Sequence, residues 1–389
     1  MISKTPSAVI LGLYGANGVG VARSLGRENI PIDGFHVSNN FPHAFYSKYL
    51  NRNFLVSNEE QLLEELIKYG KQQDSRGVIF CTGDNYVLFV QKNHKDLKQH
   101  FILPLSASYD NLEDIMDKSK VLHIAEEAGF NVPEHTTLSN DSVFSLKFPI
   151  FLKPFLSVGN SKQDMKIIRT KSELEKMRYD LLSKYGDMEV ESFIPGPITN
   201  QVEVHSYLTS NNETLIGGML RYNSEFKNKD QLYLTGSFEK TQFYKELVKP
   251  ITKLTECLRF KGPLDINLKI NEDDNKKYFH EVNLRTSANL MIDTEFGLNL
   301  PAIVYLDLTG QDCSALLNKD LQLGKLWVSD RRLMLYYSKG KFKINTDLIS
   351  QHISEGAVHS FFDKEDPNPF YFSLIQGQLD TLSVEIKTI

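Results

Sequence analysis

Two short stretches carry the clearest alternation of polar and apolar positions in the chain, Asp265-Ile266-Asn267-Leu268-Lys269 and Phe279-His280-Glu281-Val282-Asn283-Leu284-Arg285. A period of two marks a strand with one buried face. Between them Asn271-Glu272-Asp273-Asp274-Asn275-Lys276-Lys277 is polar throughout, so no side chain there gains from burial and the chain reverses. The pattern predicts a hairpin. A turn centred on Asp274 sets Asp265 opposite Asn283 and Asn267 opposite Glu281, which gathers the polar side chains on one surface and leaves Ile266, Leu268, Val282 and Leu284 on the other. By the same alternation His280 falls on the face opposite Glu281 and Asn283.

The remaining pattern alternates strands and helices. Residues 8–13 read as a buried strand, followed by a glycine-bearing turn and a helix carrying Val19, Val21, Ala22 and Leu25; residues 32–37 and 77–81 read as further strands. Gly15, Gly18 and Gly20 depart from the Gly-x-Gly-x-x-Gly spacing, and Asp33 stands too near them for a ribose ligand, so the glycines are read as close strand-helix packing. Asp84 and Asn85 follow a strand end, where open α/β sheets bind ligands; they equally suit the cap of a helix beginning at Tyr86. Residues 59–69 and 172–185 are amphipathic helices with charged outer faces. Asp117-Lys118 opens a helical pattern of Val121, Leu122, Ile124, Ala125 and Ala128 that Gly129 closes.

Further strands follow. One ends in Lys153 ahead of the small polar run 157–162, and another, residues 188–194, stops at Pro195-Gly196. Residues 199–208 alternate with Glu203 and His205 on one face, and His205 is read as a satisfied strand histidine. A helix over 300–308 ends at Gly310, with strands at 326–328 and 333–337. The class is α/β, with residues 1–110 as a separate N-terminal α/β unit.

Composition narrows the function. A chain of 389 residues, 41% hydrophobic and 24% charged, is globular and holds two or three domains. No apolar run reaches the roughly 18 residues of a membrane span. The first 13 residues lack the apolar core and cleavage site of a signal peptide, and Cys81, Cys257 and Cys313 are too far apart for a metal-ligand spacing. A reducing cytoplasm is therefore expected. A net charge of −5 draws the chain neither to nucleic acid nor to an anionic membrane.

The polar surface of the hairpin is costly unless used. Carboxylate and amide oxygens are the hard ligands that Mg²⁺ prefers, and Arg285 adds a planar cation suited to phosphate or acyl-phosphate oxygens. A solvated hairpin with ordinary surface charges is the alternative, and the apolar opposite face weighs against it.

The Glu281-x-Asn283-x-Arg285 strand with an acidic residue on its neighbour resembles the ATP-grasp superfamily. The resemblance extends in order along residues 115–289: Lys118 matches the first lysine, Lys153 the second, and Glu191, before Pro195-Gly196, the adenine-reading position at the hinge. It implies an ATP-grasp fold with α+β lobes, in three parts: an N-terminal Rossmann-like domain (1–110) that helps bind the second substrate, a small lobe with the lysines and lid (111–194) and a C-terminal lobe with the metal hairpin (195–389). It also implies ATP held by Lys118, Lys153, Glu191 and the hinge backbone at Phe193 and Ile194, with Glu203 at the ribose. Mg²⁺, or Mn²⁺ in its place, would be bound by Asp265, Glu281 and Asn283, and Arg285 and Lys153 would be catalytic. In some relatives the first acidic metal ligand aligns with Asn267 rather than with Asp265. Residues 155–163 would form the lid, with Gly159 as its only glycine.

Within the superfamily the chain is similar to carboxylate-amine ligases of the D-aspartate ligase and carbamoyl-phosphate-synthase-like group. The softer signals are residues 15–27, 45–49 and 366–369. That similarity implies an ADP-forming ligase joining a carboxylate to an amine, with a homodimer as the candidate assembly. The competing expectations are a silent ATP-binding regulatory module and an enzyme that phosphorylates a carboxylate or bicarbonate without forming an amide.

Overall fold

The computed structural model describes residues 5–38, 40–104, 118–154, 165–222, 235–239, 242–317, 326–330 and 356–376. Its first part comprises β1 (Ala8–Leu11), α1 (Gly15–Gly26), β2 (Ile32–Val37), β3 (Arg52–Val56), α2 (Glu59–Lys71), β4 (Gly77–Cys81), α3 (Asp84–Lys92) and β5 (Phe101–Ile102). The strands form one parallel sheet in the order β3-β2-β1-β4-β5. β1, β2 and β4 are buried along their whole length; β1 and β4 are apolar, as strands of a parallel sheet covered on both faces are, and β2 buries Asp33 and His36 among its apolar residues. The glycines of α1 serve close packing: a Cβ at Gly18 would come within 2.9 Å of the Leu13 backbone.

A small antiparallel sheet follows α4 (Lys118–Ala128), in the order β6-β9-β7-β8, from β6 (His135–Thr137), β7 (Ile150–Pro154), β8 (Lys166–Ile168) and β9 (Met188–Ser192). Helix α5 (Lys171–Tyr185), capped by Thr170, packs Leu174 and Leu181 on Ile150, Leu152, Ile168, Met188 and Val190. Alternation then leaves Phe151, Lys153, Glu189 and Glu191 on the opposite face.

The third part is a seven-stranded sheet in the order β14-β13-β10-β11-β12-β15-β16. Its elements are β10 (Gln201–Leu208), β11 (Thr214–Tyr222), β12 (Thr235–Glu239), α6 (Gln242–Leu258), β13 (Leu264–Ile270), β14 (Lys277–Asn283), α7 (Met291–Glu295), α8 (Leu300–Leu308), β15 (Leu326–Val328) and β16 (Val358–His359). Pro250 lies inside α6, where it costs a backbone hydrogen bond; burial of Leu247, Ile251, Leu254 and Leu258 outweighs that loss. One apolar core runs from Val9, Leu11 and Phe35 of the first sheet through α4 and α6 to Val204, Ile266 and Leu268 of the third. The expected strand at 333–337 and the lid at 155–163 lie outside the described residues. Among the described residues no helix is long and apolar enough to cross a membrane.

Candidate active site

β13 and β14 pair in the register that their spacing predicts, Asp265 with Asn283 and Asn267 with Glu281. Beyond Asn267 the register slips by one, so that Leu268 pairs with Phe279 and His280 is the extra residue of a β-bulge. This overturns the expected placement of His280. Phe279 enters the apolar core, whereas the His280 ring lies 6.3 Å from that of Phe151 on the small sheet, and its carbonyl accepts from Lys153 Nζ at 3.4 Å. A single inserted residue shifts the phase of a period-two pattern, and it brings His280 and Glu281 to the same side. Burial and the neighbouring Lys153 ammonium hold the His280 imidazole below its ordinary pKa.

β10 lies on the other side of β13, with Glu203 opposite Asn267 and His205 opposite Asp265. Asp265 is buried and accepts from Asn267 Nδ2 and Asn283 Nδ2, each at 3.1 Å, while Arg285 Nη1 stands 3.7 Å away. Burial pushes the Asp265 carboxyl up, and the His205 and Arg285 cations pull against that rise. Glu203 accepts from Tyr222 Oη at 2.5 Å and from Asn289 Nδ2. Burial, with Asp265 beside it, raises the Glu203 carboxyl to about 7. His205 bonds Asp293 through Nδ1 and Ser287 Oγ through Nε2 at 2.6 Å. Burial opposes its charge, but Asp293 prevails and lifts its pKa to about 9. Both ring nitrogens are engaged, as a satisfied strand histidine requires.

The small sheet presents Lys153 to this face. Its side chain is buried and ion-paired with Glu191; burial works against the ammonium, and Glu191 and Glu189 more than compensate, so its pKa is raised. Glu191, expected to read adenine, thus has Lys153 as its partner. At the hinge the Phe193 N–H donates to the Pro149 carbonyl at 3.0 Å, while among the described residues the Ile194 N–H donates to none. Lys269 Nζ lies 5.1 Å over the Phe193 ring. Lys118 is the first residue of α4.

The first sheet closes the site from a third side. Arg285 Nε donates to Asp84 Oδ1 at 2.9 Å and Nη1 to the Thr286 carbonyl at 3.1 Å. Asn17, in the first turn of α1, donates to the carbonyls of Thr82 and Thr286 and accepts from Thr286 Oγ1. The expected cap gives way to a different arrangement: α3 begins at Asp84, with Gly83 at the N-cap and no side-chain capping bond, and the Asp84 carboxylate turns to Arg285 instead. Asn17, Tyr222, Ser287, Asn289 and Asp293 are site residues that sequence reasoning missed. Their only signal is a polar side chain beside apolar neighbours, which does not say what it meets.

No protein-family model matches the chain, and no curated protein matches it in sequence. Solved structures match its fold. N5-carboxyaminoimidazole synthetase from Staphylococcus aureus, complexed with ADP, is 16% identical with a TM-score of 0.66, over 86% of this chain and 85% of that one. L-amino acid ligase from Bacillus licheniformis is 15% identical with a TM-score of 0.60, over 83% and 79%. The biotin carboxylase domain dimer of 2-oxoglutarate carboxylase from Hydrogenobacter thermophilus, in complex with MgADP, ADP and bicarbonate, is 14% identical with a TM-score of 0.64, over 83% and 74%. At these identities the likeness is one of fold.

Proposed function

We propose that the protein, on an ATP-grasp fold supported by its likeness to the solved ligase and carboxylase structures, is an ATP-dependent carboxylate-amine ligase that works through an acyl phosphate and releases ADP and phosphate. The observation that carries the reading is the polar face of Asp265, Asn267, Glu281 and Asn283 on two neighbouring strands, flanked by Arg285 and faced by Lys153. The carboxylates on this face are available to a cation, which would offset the cost of gathering them beside a core.

ATP would lie between the small sheet and the β13-β14 hairpin, with its base near Glu191 and the Ile194 N–H. Lys118 and Lys153 would neutralise phosphate charge. The donor set suits a hard divalent cation: Glu281 and Asn283, with Asp265 or Asn267, offer only oxygen or amide groups. When bound, Mg²⁺ or Mn²⁺ supplies charge neutralisation at the terminal phosphates. The substrate carboxylate attacks the γ-phosphorus as the bond to ADP breaks. An amine then attacks the acyl carbon, phosphate leaves, and the amine proton passes to solvent. Arg285 is placed to hold the transferred phosphoryl group and then the oxyanion. Asp84, at the start of α3, would orient Arg285 beside the second substrate. Bicarbonate as the phosphorylated acid is the second reading, supported by its presence in the Hydrogenobacter complex.

A homodimer and a cytoplasmic location belong to the same proposal, supported by the dimeric state of that domain and by three unpaired cysteines. The test is phosphate release from Mg-ATP across paired carboxylates and amines, D- and L-amino acids included, with Glu281→Gln as control. Release that needs both partners and disappears in the control supports a ligase. ATP binding without release for any pair favours a regulatory module.

A further inference from the structure

Asn17, in the first turn of α1, is buried and uses its whole amide. Its Nδ2 reaches two carbonyls, that of Thr82 at 2.7 Å and that of Thr286 at 2.5 Å, and Oδ1 is bonded by Thr286 Oγ1. A carbonyl only accepts, so the NH₂ group must face Thr82 and Thr286, and the Thr286 hydroxyl must donate to the amide oxygen. Both carbonyls belong to the segments that hold Arg285. Thr82 stands two residues before Asp84, which accepts from Arg285 Nε at 2.9 Å, and the Thr286 carbonyl that takes the Asn17 amide also accepts from Arg285 Nη1 at 3.1 Å. The guanidinium is thus held at two edges, and a single side chain from α1 ties the two holders together. Docking of α1 on α7 and α8 has contacts of its own: Ser24 bonds Thr294, Arg27 pairs with Glu295, and Asn299 Nδ2 donates to the Ser24 carbonyl.

Resting on the role proposed above for Arg285, we infer that Asn17 is a positioning residue for its guanidinium: it fixes the Thr286 carbonyl against Nη1 and the end of β4 that carries Asp84 against Nε. Removing the amide leaves two carbonyls short of a donor and frees the Thr286 peptide to turn away from Nη1. Asp84 then holds the guanidinium by one edge only. A planar cation that must meet charge as it develops loses effect when its direction is no longer fixed. The first sheet therefore acts on the chemistry through α1 as well as through Asp84.

The experiment has a kinetic and a spectroscopic arm. Asn17→Ala is expected to lower kcat about 10–100-fold with the KM for ATP little changed, the scale of a reacting group held out of place. In the Arg285→Ala background the same substitution is expected to add nothing, because it acts only through that guanidinium. The second arm needs no substrate: the arginines are isotope-labelled and their Nε–H groups observed by nuclear magnetic resonance. The Arg285 resonance, identified by its absence from Arg285→Lys, is expected in the unsubstituted protein and lost to exchange with water in Asn17→Ala. The Nε–H of Arg23, bonded to Asp366 from the same helix, is expected to keep its resonance. An unchanged Arg285 resonance, loss of both resonances together, or kinetic losses that multiply in the double variant overturns the inference. If Asn17→Ala does not fold, Asn17→Ser takes its place with the same expectations, since serine brings one donor to two carbonyls. An unsubstituted protein that releases no phosphate with any pair, or an Arg285→Ala variant that keeps its kcat, would instead remove the role proposed for Arg285, and the resonances would still decide whether Asn17 places it.

Discussion

Arg23 and Asp366 lie 343 residues apart and form a buried ion pair. Arg23 Nε donates to Oδ2 at 3.0 Å and Nη2 to the Asp366 carbonyl at 2.6 Å. Ser47 Oγ and the Lys48 N–H donate to the same carboxylate at 2.8 and 2.9 Å. Residues 15–27, 45–49 and 366–369, singled out separately in the sequence, thus converge on one side chain. Arg27 adds contacts to Glu295 and Asp363, which ties the segment after β16 and helix α7 to α1 of the first sheet.

Removing Asp366 leaves the buried Arg23 with only the more distant Asp363 carboxylate, 4.0 Å from its Nε. Asp366→Ala is expected to destabilise the protein by about 3–5 kcal/mol. Replacing Arg23 by Met as well should recover part of the loss, since the two costs share one cause. Urea unfolding of the single and double variants measures both; additive losses would mean that the two side chains do not act as a pair.

His280 lies against the small sheet only because of the β-bulge. His280→Ala is expected to weaken ADP binding about fivefold, the scale of one lost ring contact of about 1 kcal/mol. His280→Phe should retain most of the affinity. Calorimetric titration with ADP decides the matter, and equal affinity in all three proteins would show that the ring does not touch the nucleotide.

Arg285→Ala is expected to lower kcat about 100-fold or more, as loss of a cation at developing charge does. Asp84→Asn leaves the guanidinium in place but loosens it. One charged hydrogen bond is worth about 1.5 kcal/mol, so a loss of about tenfold in kcat is expected, with KM for ATP little changed. Steady-state kinetics on the active substrate pair separates the two effects. A rise in the KM for ATP alone in Asp84→Asn would point to nucleotide binding instead.

His205 sets a pH dependence of stability. Its pKa is raised from 6.5 to about 9, so the stabilisation is fully present below pH 6.5 and is lost as pH rises through about 9. The full contribution is on the order of 3 kcal/mol. Urea midpoints measured from pH 6 to 10 should therefore fall more steeply for the unsubstituted protein than for His205→Gln, with the two curves converging at high pH. Parallel curves would show that His205 carries no proton in the fold.

The order of residues along the chain dictates what is local. Period-two alternation around a polar turn was enough for the hairpin and for the pairing of Asp265 with Asn283 and Asn267 with Glu281. Apolar runs and their glycine stops located β2, β4, α8 and β15 to the residue. What lay beyond it depends on contacts between segments far apart in the chain. The bulge at His280 arises because Phe279 fills the core beside Phe130, so that one residue is displaced toward the small sheet. Asp84 gives up a capping role because Arg285 arrives beside it from 201 positions away. Glu203 bonds Tyr222 and Asn289, partners that its place in the β10 alternation does not announce. Periodicity reports which face a side chain takes, but a charged or polar group settles where its partner stands, and only the tertiary fold brings that partner within reach.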